Sequence, residues 1–183
     1  MSEKYGLLLS GGIDSRVIRH MYPDAYAIHY QFPIGGEFMP TPSGVDKVID
    51  ISSYEHKHEG MTANTITLLA DSSLGLDNII YGIMKEYPEL SNLHDAPVEG
   101  ENDLIKPLKD WYKHDIIKYA SENNIDLSDT VSCLEVNNHQ GCWPDDWSAL
   151  STDACYQCKE IQIALNHLDS DGFDYTNVIQ RRG

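Results

Sequence analysis

The stretch that most constrains this fold is residues 5–15, Tyr-Gly-Leu-Leu-Leu-Ser-Gly-Gly-Ile-Asp-Ser. Its apolar start reads as a buried strand ending at Leu9, and the spacing of Val17, Ile18 and Met21 reads as a helix. Between them, Ser10, Gly11 and Gly12 break the strand. Glycines let the backbone come close to a ligand, and a helix start presents unpaired N–H groups and a partial positive charge. Together these make an anion cradle. It differs from the common phosphate loop, which carries a Lys-Ser/Thr pair after its second glycine. Here the hydroxyls of Ser10 and Ser15 and the backbone amides would hold the anion. Asp14 would repel a bound phosphate unless a divalent cation sits between them. The plainer alternative is a tight turn with an Asp/Ser helix cap.

Composition bounds the rest. The chain has 183 residues, 41% of them hydrophobic, enough for one domain with a core. Its 13 Lys+Arg against 29 Asp+Glu give a net charge of −16, which argues against direct, non-specific binding of nucleic acid. A small anionic substrate in a locally neutralised pocket remains compatible with it. The acidity is spread along the chain and reads as a solvated surface. No apolar run approaches membrane-spanning length, and the Met-Ser-Glu-Lys-Tyr start does not read as a signal peptide. A soluble cytoplasmic protein with no membrane partner is expected, and cysteines there are more often metal ligands than disulfides.

Along the chain, strands alternate with helices. Residues 25–30 read as a second strand, residues 31–44, with three prolines and three glycines, as a loop, and residues 47–51 as a third strand. His56 and His58 lie in a polar stretch and read as solvated rather than metal-binding. Residues 61–74 read as a helix, residues 79–83 as a buried strand ending in glycine, and residues 85–100 as an irregular polar connection. Residues 104–108 read as a short strand, and residues 112–123 as a helix burying Ile116, Ile117 and Ala120. The alternation predicts a parallel sheet covered on both sides, with ligands at the carboxyl ends of its strands. That is where the Ser10–Ser15 loop falls.

Cys133, Cys142, Cys155 and Cys158 all lie in the last third, spaced C-x8-C-x12-C-x2-C. Four cysteines fit a closed tetrahedral zinc site tying a loop to a helix over residues 158–168. Buried free thiols, a redox Cys-x-x-Cys or an iron–sulfur cluster are the alternatives. Trp143 and Trp147 either pack over this loop or stack on a purine-like base. Residues 174–183, with Arg181 and Arg182, read as a frayed tail.

The Ser-Gly-Gly-Ile-Asp-Ser string after a strand resembles the pyrophosphate loop of the PP-loop ATPases, the adenine-nucleotide alpha-hydrolase superfamily. Further matches run in order: Asn64-Thr65-Ile66, Ile80-Tyr81-Gly82, Tyr87-Pro88-Glu89, Pro107-Leu108, Lys113-His114-Asp115-Ile116-Ile117 and Ser132-Cys133. With the four cysteines, the chain is similar to the QueC family of 7-cyano-7-deazaguanine synthases. It differs from them in its Pro/Gly-rich residues 31–44, where the family has a helix, and in Ala63, where the family has arginine.

The resemblance implies a Rossmann-like, HUP-type PP-loop α/β domain over residues 1–130. A zinc-binding helical segment over residues 131–183, carrying the four cysteines, would pack on it. It implies conversion of 7-carboxy-7-deazaguanine and ammonia to the nitrile, with ATP and Mg2+ consumed through an adenylylated intermediate. The nucleotide would be held by Leu9, Ser10, Gly11, Gly12, Ile13, Asp14 and Ser15, with Arg16 in reach of a phosphate or facing solvent. Asp14 and Lys113 would be catalytic, and Cys133, Cys142, Cys155 and Cys158 would bind structural zinc. Lys113 read by itself is either a phosphate ligand or a surface lysine at a helix start, where a cation is mildly unfavourable. A homodimer is the default oligomer. The alternatives are another PP-loop amide ligase, or a nucleotide- or partner-binding module that releases no AMP.

Overall fold

The computed structural model describes residues 3–31, 33–34, 37–38, 41–50, 74–90, 104–128, 130 and 156–179. In chain order the elements are β1 (Tyr5–Leu8), α1 (Ile13–Met21), β2 (Tyr26–Gln31), β3 (Pro33–Ile34), β4 (Glu37–Phe38), β5 (Lys47–Asp50), β6 (Asn78–Ile80), α2 (Lys113–Glu122) and α3 (Tyr156–Ser170). The class is α/β, compatible with a Rossmann-like arrangement. Strands β5, β2, β1 and β6 lie side by side in that order, and all three pairings are parallel.

The order carries functional information. From β1 the chain steps outward to β2 and β5, then returns to place β6 on the other side of β1. Strand direction of travel therefore reverses at β1, and in open parallel sheets such a reversal opens a crevice at the carboxyl ends of the strands. A further bridge, Ile80 with Ile105, extends the sheet past β6.

Alternation along β1 distributes its side chains between two cores. Leu7 is fully buried and joins Ile13, Val17 and Ile18 of α1, Ile116, Ile117 and Ala120 of α2, and Ile161, Ala164 and Leu165 of α3. Leu8 faces the other way, with Ile28, Tyr30 and Leu74. Gly6 shares that second face, where an added Cβ would sit 2.8 Å from Leu76 Cδ1. None of the helices among the described residues is long and apolar enough to cross a membrane.

Four expectations are corrected. Residues 31–44 are not wholly loop: β3 and β4 pair antiparallel, Pro33 opposite Phe38 and Ile34 opposite Glu37. The strand expected at 104–108 is a single bridge at Ile105 followed by a turn, because Pro107 has no N–H to extend the ladder. The start of the 85–100 connection is anchored, with Tyr87 and Leu90 buried and the Lys85 N–H donating to the Trp111 carbonyl at 2.8 Å. The expected frayed tail is part of the core as far as Ile179: Tyr175, Val178 and Ile179 are each at most 3% exposed. The Leu127 N–H donates to the Val178 carbonyl at 3.2 Å, tying this segment to the end of α2. The helix expected over 61–74 lies outside the described residues except for Leu74, as do Asn64, Thr65, Ile66, Ala63, His56 and His58.

Candidate functional site

The site is built on the turn between β1 and α1. Leu9 still belongs to the sheet, its N–H donating to the Ile28 carbonyl at 2.8 Å. Gly11 then takes a positive φ of 88°, a conformation that side chains disfavour, and a Cβ there would meet Pro42 Cγ at 3.2 Å. Gly12 is the N-cap residue of α1 and contributes no capping side chain. The first i→i−4 bond is Arg16 N–H to the Gly12 carbonyl at 3.1 Å. The amides before it have no helical carbonyl in reach.

The two serines organise this turn. The buried Ser15 hydroxyl donates to the Gly12 carbonyl at 3.0 Å and accepts from Ser10 Oγ at 3.2 Å. Ser10 Oγ in turn accepts from the Gly12 N–H at 3.3 Å. A narrow cleft runs along the turn past Ser15, Arg16 and Arg19 to Pro42 and Ser43. Arg16 and Arg19 thus line this cleft, the Arg19 guanidinium donating to the Ala25 carbonyl.

Asp14 points to a partner 99 residues away in sequence: Lys113 Nζ donates to Asp14 Oδ1 at 2.6 Å and to Oδ2 at 2.7 Å. Lys113 opens α2 but is 3% exposed, so the surface-lysine alternative does not hold. On its other side Lys113 Nζ lies 3.1 Å from Glu160 Oε2, on α3. Burial pulls the lysine toward its neutral form, and the Asp14 and Glu160 carboxylates more than reverse this, leaving its pKa above the ordinary lysine value. Among the described residues, the counter-charge of Asp14 is this ammonium. A divalent cation at Asp14 would have to displace it.

A second layer supports the lysine. The Tyr156 hydroxyl, one turn before Glu160 on α3, donates to Glu86 Oε1 at 2.9 Å and lies 3.5 Å from Glu160 Oε1. Burial, then the negative charge of Glu160, pushes this hydroxyl well above the ordinary tyrosine pKa and keeps it a donor. Beside Lys113, Tyr87 caps α2: its hydroxyl accepts the His114 backbone N–H at 3.1 Å and lies 2.9 Å from His114 Nδ1. At the far side of the turn, His29 is 2% exposed and its Nδ1–H donates to the Leu9 carbonyl at 2.8 Å. Its Nε2 is buried with no hydrogen-bond partner among the described residues. Gly82, just past β6, closes the crevice: a Cβ there would lie 3.6 Å from Asp14 Cβ.

Leu9, Gly11, Ser15 and Arg16 thus line the cleft, Ser10 and Gly12 shape the turn beside it, Lys113 meets Asp14, and Ile13 is buried in the core. Sequence reasoning missed Glu160, Tyr156, Glu86, Arg19 and His29. The one available signal was Tyr156 and Glu160 four apart on a helical face. Of the cysteines, Cys158 is buried in the first turn of α3, while Cys133, Cys142 and Cys155 lie outside the described residues, as do Trp143 and Trp147. Among the described residues no cluster of three or more His, Cys, Asp or Glu side chains is arranged to hold a metal. Comparisons with protein-family models, with curated proteins and with solved structures each return no match to this chain.

Proposed function

We propose that this chain is a PP-loop enzyme of HUP type that activates a carboxylate with ATP. Its substrate on this reading is 7-carboxy-7-deazaguanine, and its product, with ammonia, is the nitrile. The observation that carries the reading is the turn itself: a strand, Ser10-Gly11-Gly12 with Gly11 at positive φ, and a helix whose Asp14 holds a buried lysine. The cradle a Cβ at Gly11 would fill, the serine hydroxyls and the first-turn amides suit a pyrophosphate in shape and donor chemistry. Lys113 beside the turn supplies positive charge of the kind such a ligand needs.

A carboxylate oxygen bonds to the α-phosphorus of ATP and pyrophosphate leaves. Ammonia then displaces AMP to give the amide. A second ATP takes the amide oxygen in the same way, and loss of AMP and two protons leaves the nitrile. Mg2+ at Asp14 would neutralise phosphate charge when bound. Zinc on Cys133, Cys142, Cys155 and Cys158 would be structural, and a thiolate set of that size suits it. A cytoplasmic homodimer accompanies this reading.

The test is AMP and pyrophosphate release from ATP, Mg2+ and ammonia, with and without 7-carboxy-7-deazaguanine, the deazaguanine followed by mass spectrometry. Acid-dependent AMP with a nitrile product is expected. An amide end product would make the chain an amide ligase. ATP binding with no acid-dependent AMP would sink the enzyme reading and leave a nucleotide-binding module.

A further inference from the structure

Lys113 sits between two carboxylates that differ in one respect. The Asp14 side chain is 27% exposed, whereas that of Glu160 is 6% exposed. We propose that Glu160 is the positioning residue of this site: it keeps the Lys113 ammonium in place while Asp14 releases it to an incoming phosphate chain. The inference rests on the phosphate-binding reading of the Ser10–Ser15 turn.

Solvation separates the two carboxylates. A carboxylate in contact with water exchanges an ion-pair partner at small cost, because water replaces what is lost. A buried carboxylate left without its counter-charge pays a large desolvation penalty. Asp14 is of the first kind and Glu160 of the second, so when an anion competes for Lys113, the Asp14 contact is the one to open. Tyr156 lies one helical turn before Glu160 on α3, its hydroxyl donating to Glu86 and standing 3.5 Å from Glu160 Oε1. The lysine is thus gripped from α3 and lent to α1.

The two grips are separable by experiment. Full-length protein carrying 13Cε-labelled lysine, with the Lys113 resonance assigned from Lys113→Arg, reports the lysine titration directly. In the free protein both Asp14→Asn and Glu160→Gln are expected to lower the Lys113 pKa, Asp14→Asn the more, since Asp14 is the closer partner. With Mg·ATP bound, Asp14→Asn is expected to leave it as in the wild-type complex, while Glu160→Gln still lowers it. Affinity for Mg·ATP, measured by calorimetry, is expected to fall roughly tenfold in Glu160→Gln. It should recover in part in Glu160→Asp, which keeps the charge and shortens its reach. Should Glu160→Gln not fold, the Glu160→Asp and Asp14→Asn pair decides the same ordering. Equal shifts in the Mg·ATP complex, or a larger one there in Asp14→Asn, would overturn the inference, as would wild-type Mg·ATP affinity in a folded Glu160→Gln. Absence of Mg·ATP binding in the wild-type chain would instead overturn the phosphate-binding reading, and with it the exchange at Asp14.

Discussion

Lys113 concentrates the residue-scale argument. A lysine at the first position of a helix meets an unfavourable dipole, and burial adds a desolvation cost. Both are offset only because Asp14 and Glu160 lie within 3.1 Å of its ammonium. Removing that ammonium leaves two carboxylates facing each other with Glu160 buried. Lys113→Met, which keeps the apolar stem, is therefore expected to destabilise the fold by about 3–5 kcal/mol in urea denaturation. Adding Glu160→Gln to it should recover part of the loss. Little of this is legible in one dimension. The glycine turn is, because strand, Gly-Gly and helix are local signals. The Asp14–Lys113 contact joins residues 99 apart, and no local periodicity encodes such a pair. Glu160 was hidden further, since an acidic residue on a helix ordinarily faces water.

At the scale of elements, the joint between α2 and α3 is a stack of rings. The His114 and His167 centroids are 5.0 Å apart, and Tyr87 lies over His167 at 5.7 Å with the rings nearly parallel. His114 Nδ1 lies 2.9 Å from the Tyr87 hydroxyl, and its Nε2 lies 3.5 Å from Asp115 Oδ1. Burial lowers the His114 pKa below its ordinary 6.5, Asp115 opposes that shift, and the neighbouring His167 adds to it. The sign follows from linkage. A folded-state pKa below the unfolded one means the unfolded chain binds more protons in the window between them, so stability falls as pH drops through it. Thermal or urea stability is expected to decline from pH 7 toward pH 5 more steeply in the wild-type chain than in His114→Gln. Equal slopes would show that this ring does not couple to folding. The elements themselves were largely readable: α2 spans Lys113–Glu122 and buries Ile116, Ile117 and Ala120, as its spacing predicts. The β3–β4 pair escaped because two-residue strands among prolines and glycines show no alternation.

At the scale of the molecule, the last described segment closes the core. Tyr175, Val178 and Ile179 pack with the same cluster as Leu127 and the buried faces of α2 and α3. Ile179→Ala is expected to cost about 2–5 kcal/mol in chemical denaturation, the range for a buried large-to-small change. A loss below about 0.5 kcal/mol, the range of an ordinary surface substitution, would mean that the segment behaves as the frayed end its composition resembles. The sequence by itself determined what depends on near neighbours. It specified the alternation of strands and helices, the parallel class of the sheet and the glycine turn that starts α1, because hydrophobic period and glycine placement act within a few residues. Only the tertiary structure decided which charges meet. The order β5, β2, β1, β6 opens the crevice beside β1, and the packing of α2 and α3 brings Lys113 and Glu160 to Asp14 inside it. The reason is physical: a buried ion pair is stable only where desolvation, reach and partner geometry coincide, and those are properties of packed elements rather than of the residues listed in order.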